Sequence, residues 1–173
     1  MKSNELKQYI RDIPDFPKPG ILFRDITPLL VNALALKRAI ELLAEPFAET
    51  GIDIVAAVEA RGFIFGPAVA KTLGAGFVPI RKKGKLPFET HSVSYGLEYG
   101  TDSVEVHSDA VSPGTKVLMV DDLLATGGTM AAACELIEKL GGEIAGLTFL
   151  VELADLKGRD LLKQYPIYSV ITF

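Results

Sequence analysis

Several things are scarce in this 173-residue chain, and each scarcity excludes something. There is a single cysteine, Cys134, so no intramolecular disulfide and no all-cysteine zinc site can form. In "MAAACELIEKL" that cysteine reads as a small buried helix residue, and a reducing, cytoplasmic setting follows as the expectation. Tryptophan is missing altogether, and the two histidines, His91 and His107, lack metal-ligand spacing. No apolar run reaches the ~20 residues that span a bilayer. The opening "MKSNELKQYI" is polar and has no apolar core of a secretory signal. Positive charge is not in excess: 18 Lys and Arg stand against 22 Asp and Glu, for a net charge of -4. Neither nucleic acid nor an anionic membrane is therefore expected as a partner, and an anionic ligand must be held by local charge or backbone dipoles.

What remains is 49% hydrophobic, enough for one domain with a sizeable core. Ser3 can cap a helix carrying Leu6, Ile10 and Ile13, ended by Pro14. "PDFPKPG" is a turn region, and "ILFRDIT" a short extended segment. Leu36, Ile40, Leu43 and Phe47 repeat at helical spacing within 33–50, with Gly51 as the stop. The runs "IDIVAAV", "GFVPI", "KVLMVDD", "EIAGLTFLVEL" and "IYSVITF" then read as buried strands. They alternate with the helical "GFIFGPAVAKTLG", "GGTMAAACELIEKLGG" and "KGRDLLKQY". That alternation predicts an α/β fold, an open and mostly parallel sheet with helices on both faces, with ligands at the carboxyl ends of its strands. One segment, Arg81 to Gly114, lacks a helix signal; "HSVSYGLEYG" and "DSVEVHSD" alternate in polarity and suggest an antiparallel excursion.

Chemistry concentrates in "VLMVDDLLATGGT". A buried strand ends in Asp121 and Asp122, followed by Ala125, Thr126, Gly127, Gly128 and Thr129. The glycines let a ligand approach the backbone, and a helix starts there, so its free N–H groups suit a terminal phosphate. Neither a P-loop nor a dinucleotide fingerprint is present. Next to a phosphate, two acids can accept the 2′ and 3′ hydroxyls of a ribose; they can also bind magnesium directly or through water, or merely cap the helix. The ligand suggested is a ribose 5-phosphate. "EARG" follows "IVAAV" at the same sheet edge, so Arg61 and the turn at Ala60 can meet a charged leaving group, or Arg61 is a surface cation. Arg81, Lys82, Lys83 and Lys85 crowd four cations into five positions, as a ligand site or a solvated face.

The strand, the acid pair and "ATGGT" resemble the phosphoribosyl diphosphate signature of the type I phosphoribosyltransferase family. "FPKPGILFRDITPLL", "EARGFIFGPAVA", "RKKGKLP", "SYGLEYG" and "VELADLKGR", in the family's order over nearly the whole chain, are similar to its adenine-using branch. The resemblance implies one domain, 1–173, with an N-terminal hood at about 1–32 and a flexible hairpin flap at about 81–108. It implies transfer of a phosphoribosyl group from phosphoribosyl diphosphate to adenine, a role in purine salvage, and a homodimer. Glu59, Ala60 and Arg61 would form the pyrophosphate loop, with a strained or cis peptide, joined by Arg81, Lys82, Lys85 and Tyr99. Glu98 would handle the purine proton, making it catalytic with Asp121, Asp122 and Arg61. Leu22, the Arg24 backbone, Phe23 by stacking and Leu153 would hold adenine, although Phe23 could equally be a core aromatic and Glu98 a strand-surface acid. Magnesium (Mg2+) would arrive on the diphosphate rather than in a protein ligand set. Another purine as acceptor, or a non-catalytic sensor of the donor, are the competing readings.

Overall fold

The structure is a computed structural model, and it describes residues 3–97 and 100–173. Five parallel strands form the larger part of a seven-stranded sheet: β3 (Ile54–Val58), β4 (Gly76–Lys82), β7 (Lys116–Leu124), β8 (Glu143–Glu152) and, at one edge, β9 (Ile167–Thr172). A hairpin of β5 (Thr90–Leu97) and β6 (Gly100–His107) adds two antiparallel strands, giving the order β5-β6-β4-β3-β7-β8-β9. A separate two-stranded ribbon pairs β1 (Arg11–Ile13) with β2 (Phe23–Asp25) near the N-terminus.

Strand alternation divides the core into two layers. Val55 and Ala57 of β3 and Leu118 and Val120 of β7 face α3 (Ala33–Ala44) and α4 (Gly62–Leu73). Ala56, Val58, Val117 and Met119 face α5 (Gly128–Lys139) and the hairpin. Because both faces are covered, these strands are near-continuous apolar runs. Local chemistry sets the helix ends. Asn32 caps α3 by accepting from the Ala35 N–H at 3.0 Å, and Gly74 ends α4 in the left-handed region at φ +70°. Leu43 of α3 has no accessible surface, and its truncation to Ala should cost ~2–5 kcal/mol.

Three expectations need correction. The first helix, α1, covers only Ser3–Leu6 and passes through a 3-10 turn into β1; pairing of Ile13 with Phe23 and an Arg11–Asp25 ion pair draw the chain into a strand before Pro14. The extended segment at Phe23–Asp25 gives way at once to α2 (Thr27–Val31), which has Pro28 at its start, where a missing N–H costs nothing. "KGRDLLKQY" forms no α-helix: it holds one 3-10 turn, Gly158–Leu161, separated by Lys157 at φ +52° from another at Ala154–Leu156 just before it. The antiparallel excursion is present and is not free-standing: β6 also pairs with β4 through Arg81↔Glu105 and Lys82↔Val104, so it extends the main sheet.

Candidate functional site

Strand β3 is followed on one side by β4, and on its other side lies β7, so the crossovers reverse direction between β3 and β7. Ligands of open α/β sheets bind at such a switch point, because the loops diverge there and leave a crevice. A cavity of ≈ 270 Å³ opens at this place. Glu59, Ala60 and Arg61 after β3, Asp121 and Asp122 near the end of β7, and Ala125 to Thr129 leading into α5 all line it, together with Lys82 of β4. Segments more than sixty residues apart in sequence are thus brought to one crevice.

The phosphate-shaped loop depends on Gly127, which sits at φ +85° and precedes α5. An L side chain is disfavoured there, and a Cβ would also meet the Gly158 carbonyl oxygen at 2.6 Å. The Gly127 carbonyl accepts from Ala131, which leaves the first amides of α5 directed at the crevice.

The two acids are unequal. Asp122 is buried and ion-paired, with Arg61 Nε 2.8 Å from its Oδ2, an approach without the alignment of a hydrogen bond. Asp121 accepts the Asp122 backbone N–H on Oδ1 at 2.9 Å. Burial pushes the Asp121 carboxyl well above its ordinary range, and the Asp122 charge adds to the rise. Burial also raises Asp122, against the opposing pull of Arg61. Two adjacent carboxylates that are costly to ionise suit a ligand that brings hydroxyl donors or positive charge. Among the described residues no cluster of three or more His, Cys, Asp or Glu could hold a metal alone. The acid pair could still complete the shell of an ion that arrives with a diphosphate.

Around the pyrophosphate-loop candidates, the Glu59–Ala60 peptide bond is cis. Glu59 accepts Arg81 Nε at 2.8 Å and the Lys82 N–H at 2.8 Å. Burial pushes its carboxyl upward, yet these donors outweigh burial and hold it below the usual value. Arg81 also donates to the Lys85 carbonyl at 3.2 Å, and neither Arg81 nor Lys85 lines the cavity. Lys82 does; its ammonium meets the Tyr95 hydroxyl at 2.7 Å and forms an ion pair with Asp102. Sequence reasoning missed Tyr95 and Asp102. They are cross-strand partners in the hairpin register, and the polar alternation of those segments carried the only available signal.

The four adenine-site candidates fall around two further cavities. Leu22, Arg24 and Leu153 share one of ≈ 500 Å³ with Phe173. Phe23 instead lines one of ≈ 440 Å³ with Phe16 and Arg61. Phe23 is half-buried, 5.1 Å from Phe16 edge to face, with the Arg61 guanidinium 5.2 Å above its ring, so it is not a core aromatic. The Arg24 side chain pairs with Asp12 and lies 3.9 Å over the Phe173 ring. Glu98 and Tyr99 lie outside the described residues.

The phosphoribosyl transferase domain family matches residues 27–172. The adenine phosphoribosyltransferase of Halothermothrix orenii is 57% identical over 167 residues, 96% of this chain and 98% of that relative. The crystal structure of adenine phosphoribosyltransferase from Thermoanaerobacter pseudethanolicus superposes with a TM-score of 0.96 at 55% identity, covering 99% of this chain and 100% of that one. The Saccharomyces cerevisiae enzyme, solved with adenine and an imino-altritol bisphosphate, superposes at 0.92 with 42% identity, covering 97% of each chain. With a full-length match in sequence and a shared fold around the same crevice, the chain belongs to the adenine phosphoribosyltransferases of the phosphoribosyl transferase domain family.

Proposed function

We propose that the chain transfers the 5-phosphoribosyl group from phosphoribosyl diphosphate to N9 of adenine, forming AMP and pyrophosphate, as a purine salvage enzyme. One observation carries the reading: an acid pair, a phosphate-shaped loop and an arginine converge on one crevice at the sheet's switch point. The donor supplies a group for each of them. Its 5′-phosphate takes the amides of Gly127, Gly128 and Thr129 and the hydroxyls of Thr126 and Thr129, and Ala125 completes that loop. Its ribose hydroxyls take Asp121 and Asp122. Its diphosphate takes Arg61, the Glu59–Ala60 turn and Lys82, with Arg81, Lys85 and Tyr99 joining as the flap segment at 81–108 approaches.

The bond from C1 of the ribose to the diphosphate oxygen breaks, and the electron pair leaves with pyrophosphate. Positive character then develops at C1, where the nearby carboxylates stabilise it, while Arg61 and Lys82 receive the growing negative charge. N9 of adenine closes the new bond to C1 as its N–H bond breaks, and Glu98 takes part in carrying that proton away. Adenine presents an acceptor at N1 and a donor at its 6-amino group, and these match the N–H and C=O of Arg24. Leu22 and Phe23, in a hood at about 1–32, enclose the ring together with Leu153. A 6-oxopurine would oppose the same backbone pair and be rejected. Bound to the diphosphate beside Asp121 and Asp122, magnesium would neutralise part of its charge. A cytoplasmic homodimer working on small molecules, without nucleic acid or membrane as partner, fits this chemistry. Among the described residues, no helix is long and apolar enough to cross a membrane.

The test is a steady-state assay with magnesium and phosphoribosyl diphosphate on adenine, hypoxanthine, guanine and xanthine in parallel. AMP formed with strong preference for adenine is the expected result. Turnover only on 6-oxopurines would overturn the acceptor, and donor binding without turnover would leave a sensor.

A further inference from the structure

Of the motifs in the sequence, "VELADLKGR" contributes only Leu153 to the proposed chemistry, yet Glu152, Gly158 and Arg159 within it make close contacts of their own. Glu152 ends β8 beside Leu124, the last residue of β7, from which the phosphate-shaped loop departs. It is buried, and Arg159 grips it in a two-pronged pair: Nε to Oε1 at 2.6 Å and Nη2 to Oε2 at 2.7 Å. The same guanidinium reaches the Ile167 carbonyl at 3.2 Å and the Ser169 hydroxyl at 3.3 Å on β9. Arg159 thereby pulls the turn Gly158–Leu161 down onto the sheet edge, with Lys157 held at φ +52° just before it.

The pinned turn has one neighbour of consequence. A Cβ on Gly158 would meet the Ala125 carbonyl oxygen at 2.3 Å and the Leu124 side chain at 2.8 Å. Reciprocally, a Cβ on Gly127 would meet the Gly158 carbonyl at 2.6 Å. Two backbones are packed glycine against loop, closer than any side chain allows. On the same segment, the Leu153 N–H donates to the Leu124 carbonyl at 2.9 Å, so the base-side residue hangs from the strand that launches the phosphate loop.

We infer that the Glu152–Arg159 pair and Gly158 are positioning residues for the 5′-phosphate loop: they press the turn Gly158–Leu161 against Ala125–Gly127 and fix the loop amides before ligand arrives. None of the three lines the crevice. The Arg159 hydrogen bonds hold the Glu152 carboxyl below its usual value against the opposing effect of burial, which keeps the clamp charged at neutral pH. A loop fixed in advance loses less freedom on binding, and a displacement near 1 Å at such a site can cost ~100-fold in rate.

The inference rests on the donor assignment above, and the experiment separates the two. Wild type, Gly158→Ala, Arg159→Lys and Arg159→Gln are compared in KM for phosphoribosyl diphosphate and for adenine. Affinity for ribose 5-phosphate and for inorganic pyrophosphate is measured by calorimetry, and thermal midpoints are recorded. Gly158→Ala should raise the donor KM and weaken ribose 5-phosphate by at least 10-fold, with pyrophosphate affinity within about twofold of wild type. Arg159→Gln should do the same, and Arg159→Lys should recover part of the loss, because an ammonium keeps the charge without the fork. A fall in melting temperature with ribose 5-phosphate affinity unchanged would overturn the inference, as would parallel losses for both ligands. If Gly158→Ala does not fold, the two Arg159 variants decide alone. A wild type that binds ribose 5-phosphate without making AMP would defeat the proposed reaction and leave this inference to the same binding data.

Discussion

On one side of the crevice, Ala125–Thr129 is held by packing: glycine against glycine, and the ladder of β7 with β8, with no ion pair to the loop among the described residues. On the opposite side, Glu59, Arg61 and Lys82 are each committed to a charged partner within the chain, Glu59 to Arg81 behind it. The packed wall offers bare amides in a fixed shape, so a phosphate gains their field with little rearrangement. The paired wall offers cations that are already neutralised, so a diphosphate must share or displace Asp122 and Asp102. Geometry sets affinity on the first side, whereas pH, salt and competition between carboxylate and phosphate set it on the second.

The largest effect expected from attacking this contrast is on the paired wall. Arg61→Ala removes the cation assigned to the leaving group and strands the Asp122 carboxylate, and kcat should fall by about 10²–10³ in the steady-state assay. A loss under fivefold would remove Arg61 from the chemistry. On the packed wall, Thr129→Val deletes one hydroxyl donor to a charged group and should raise the donor KM by about 10-fold with kcat little changed. A drop in kcat alone would place Thr129 elsewhere.

Asp121 supplies a test by stability. Its folded pKa is raised, so the folded chain binds the proton more tightly than the unfolded chain does. Stability therefore falls as pH rises above the unfolded value near 3.8, and the penalty persists at neutral pH. Asp121→Asn should stabilise the ligand-free chain at pH 7 by about 1 kcal/mol, or roughly 2–4 °C, with the gain disappearing below the unfolded pKa. Glu59 and Asp102 behave oppositely: their folded values are lowered, so what they contribute is present at neutral pH and is lost as pH falls through those values. Melting curves from pH 3 to 8 would resolve the two signs, and an unchanged midpoint for Asp121→Asn at pH 7 would refute the first. The smallest effect belongs to Asp102→Asn. Loosening a half-exposed pair is worth under ~1 kcal/mol, so freeing Lys82 should tighten pyrophosphate by no more than about fivefold. Weakened pyrophosphate binding would instead make Asp102 an aid to Lys82 and not its competitor.

The packed wall was legible in the sequence because its signals are local. An apolar run, two acids, two glycines and a helix start lie within thirteen residues, and the structure adds little to them except Gly158. The paired wall was legible only as a set of cations. Whether Lys82 meets Asp102, or Arg81 meets Glu59, depends on strand register across about twenty residues, which no local pattern encodes. Arg24 over Phe173 joins the two ends of the chain and leaves no trace in either segment. The first helix failed for a related reason: its spacing was sound through Leu6, and cross-strand pairing with β2 outweighed it beyond.

Strands β3 and β7 are directly hydrogen-bonded, from Ile54↔Val117 to Ala57↔Val120, and the loops that follow them root the two walls. The separation of those roots is therefore one interstrand spacing, ~4.8 Å, a length set by main-chain chemistry that no side-chain substitution can adjust. The sheet works as a gauge for the donor. A change of acceptor requires change only in the N-terminal ribbon and around Leu153, whereas a donor of different reach would require re-registering a central ladder, which would turn every apolar residue of the strand to the wrong face. Such a fold can exchange the molecule it modifies far more readily than the molecule it spends.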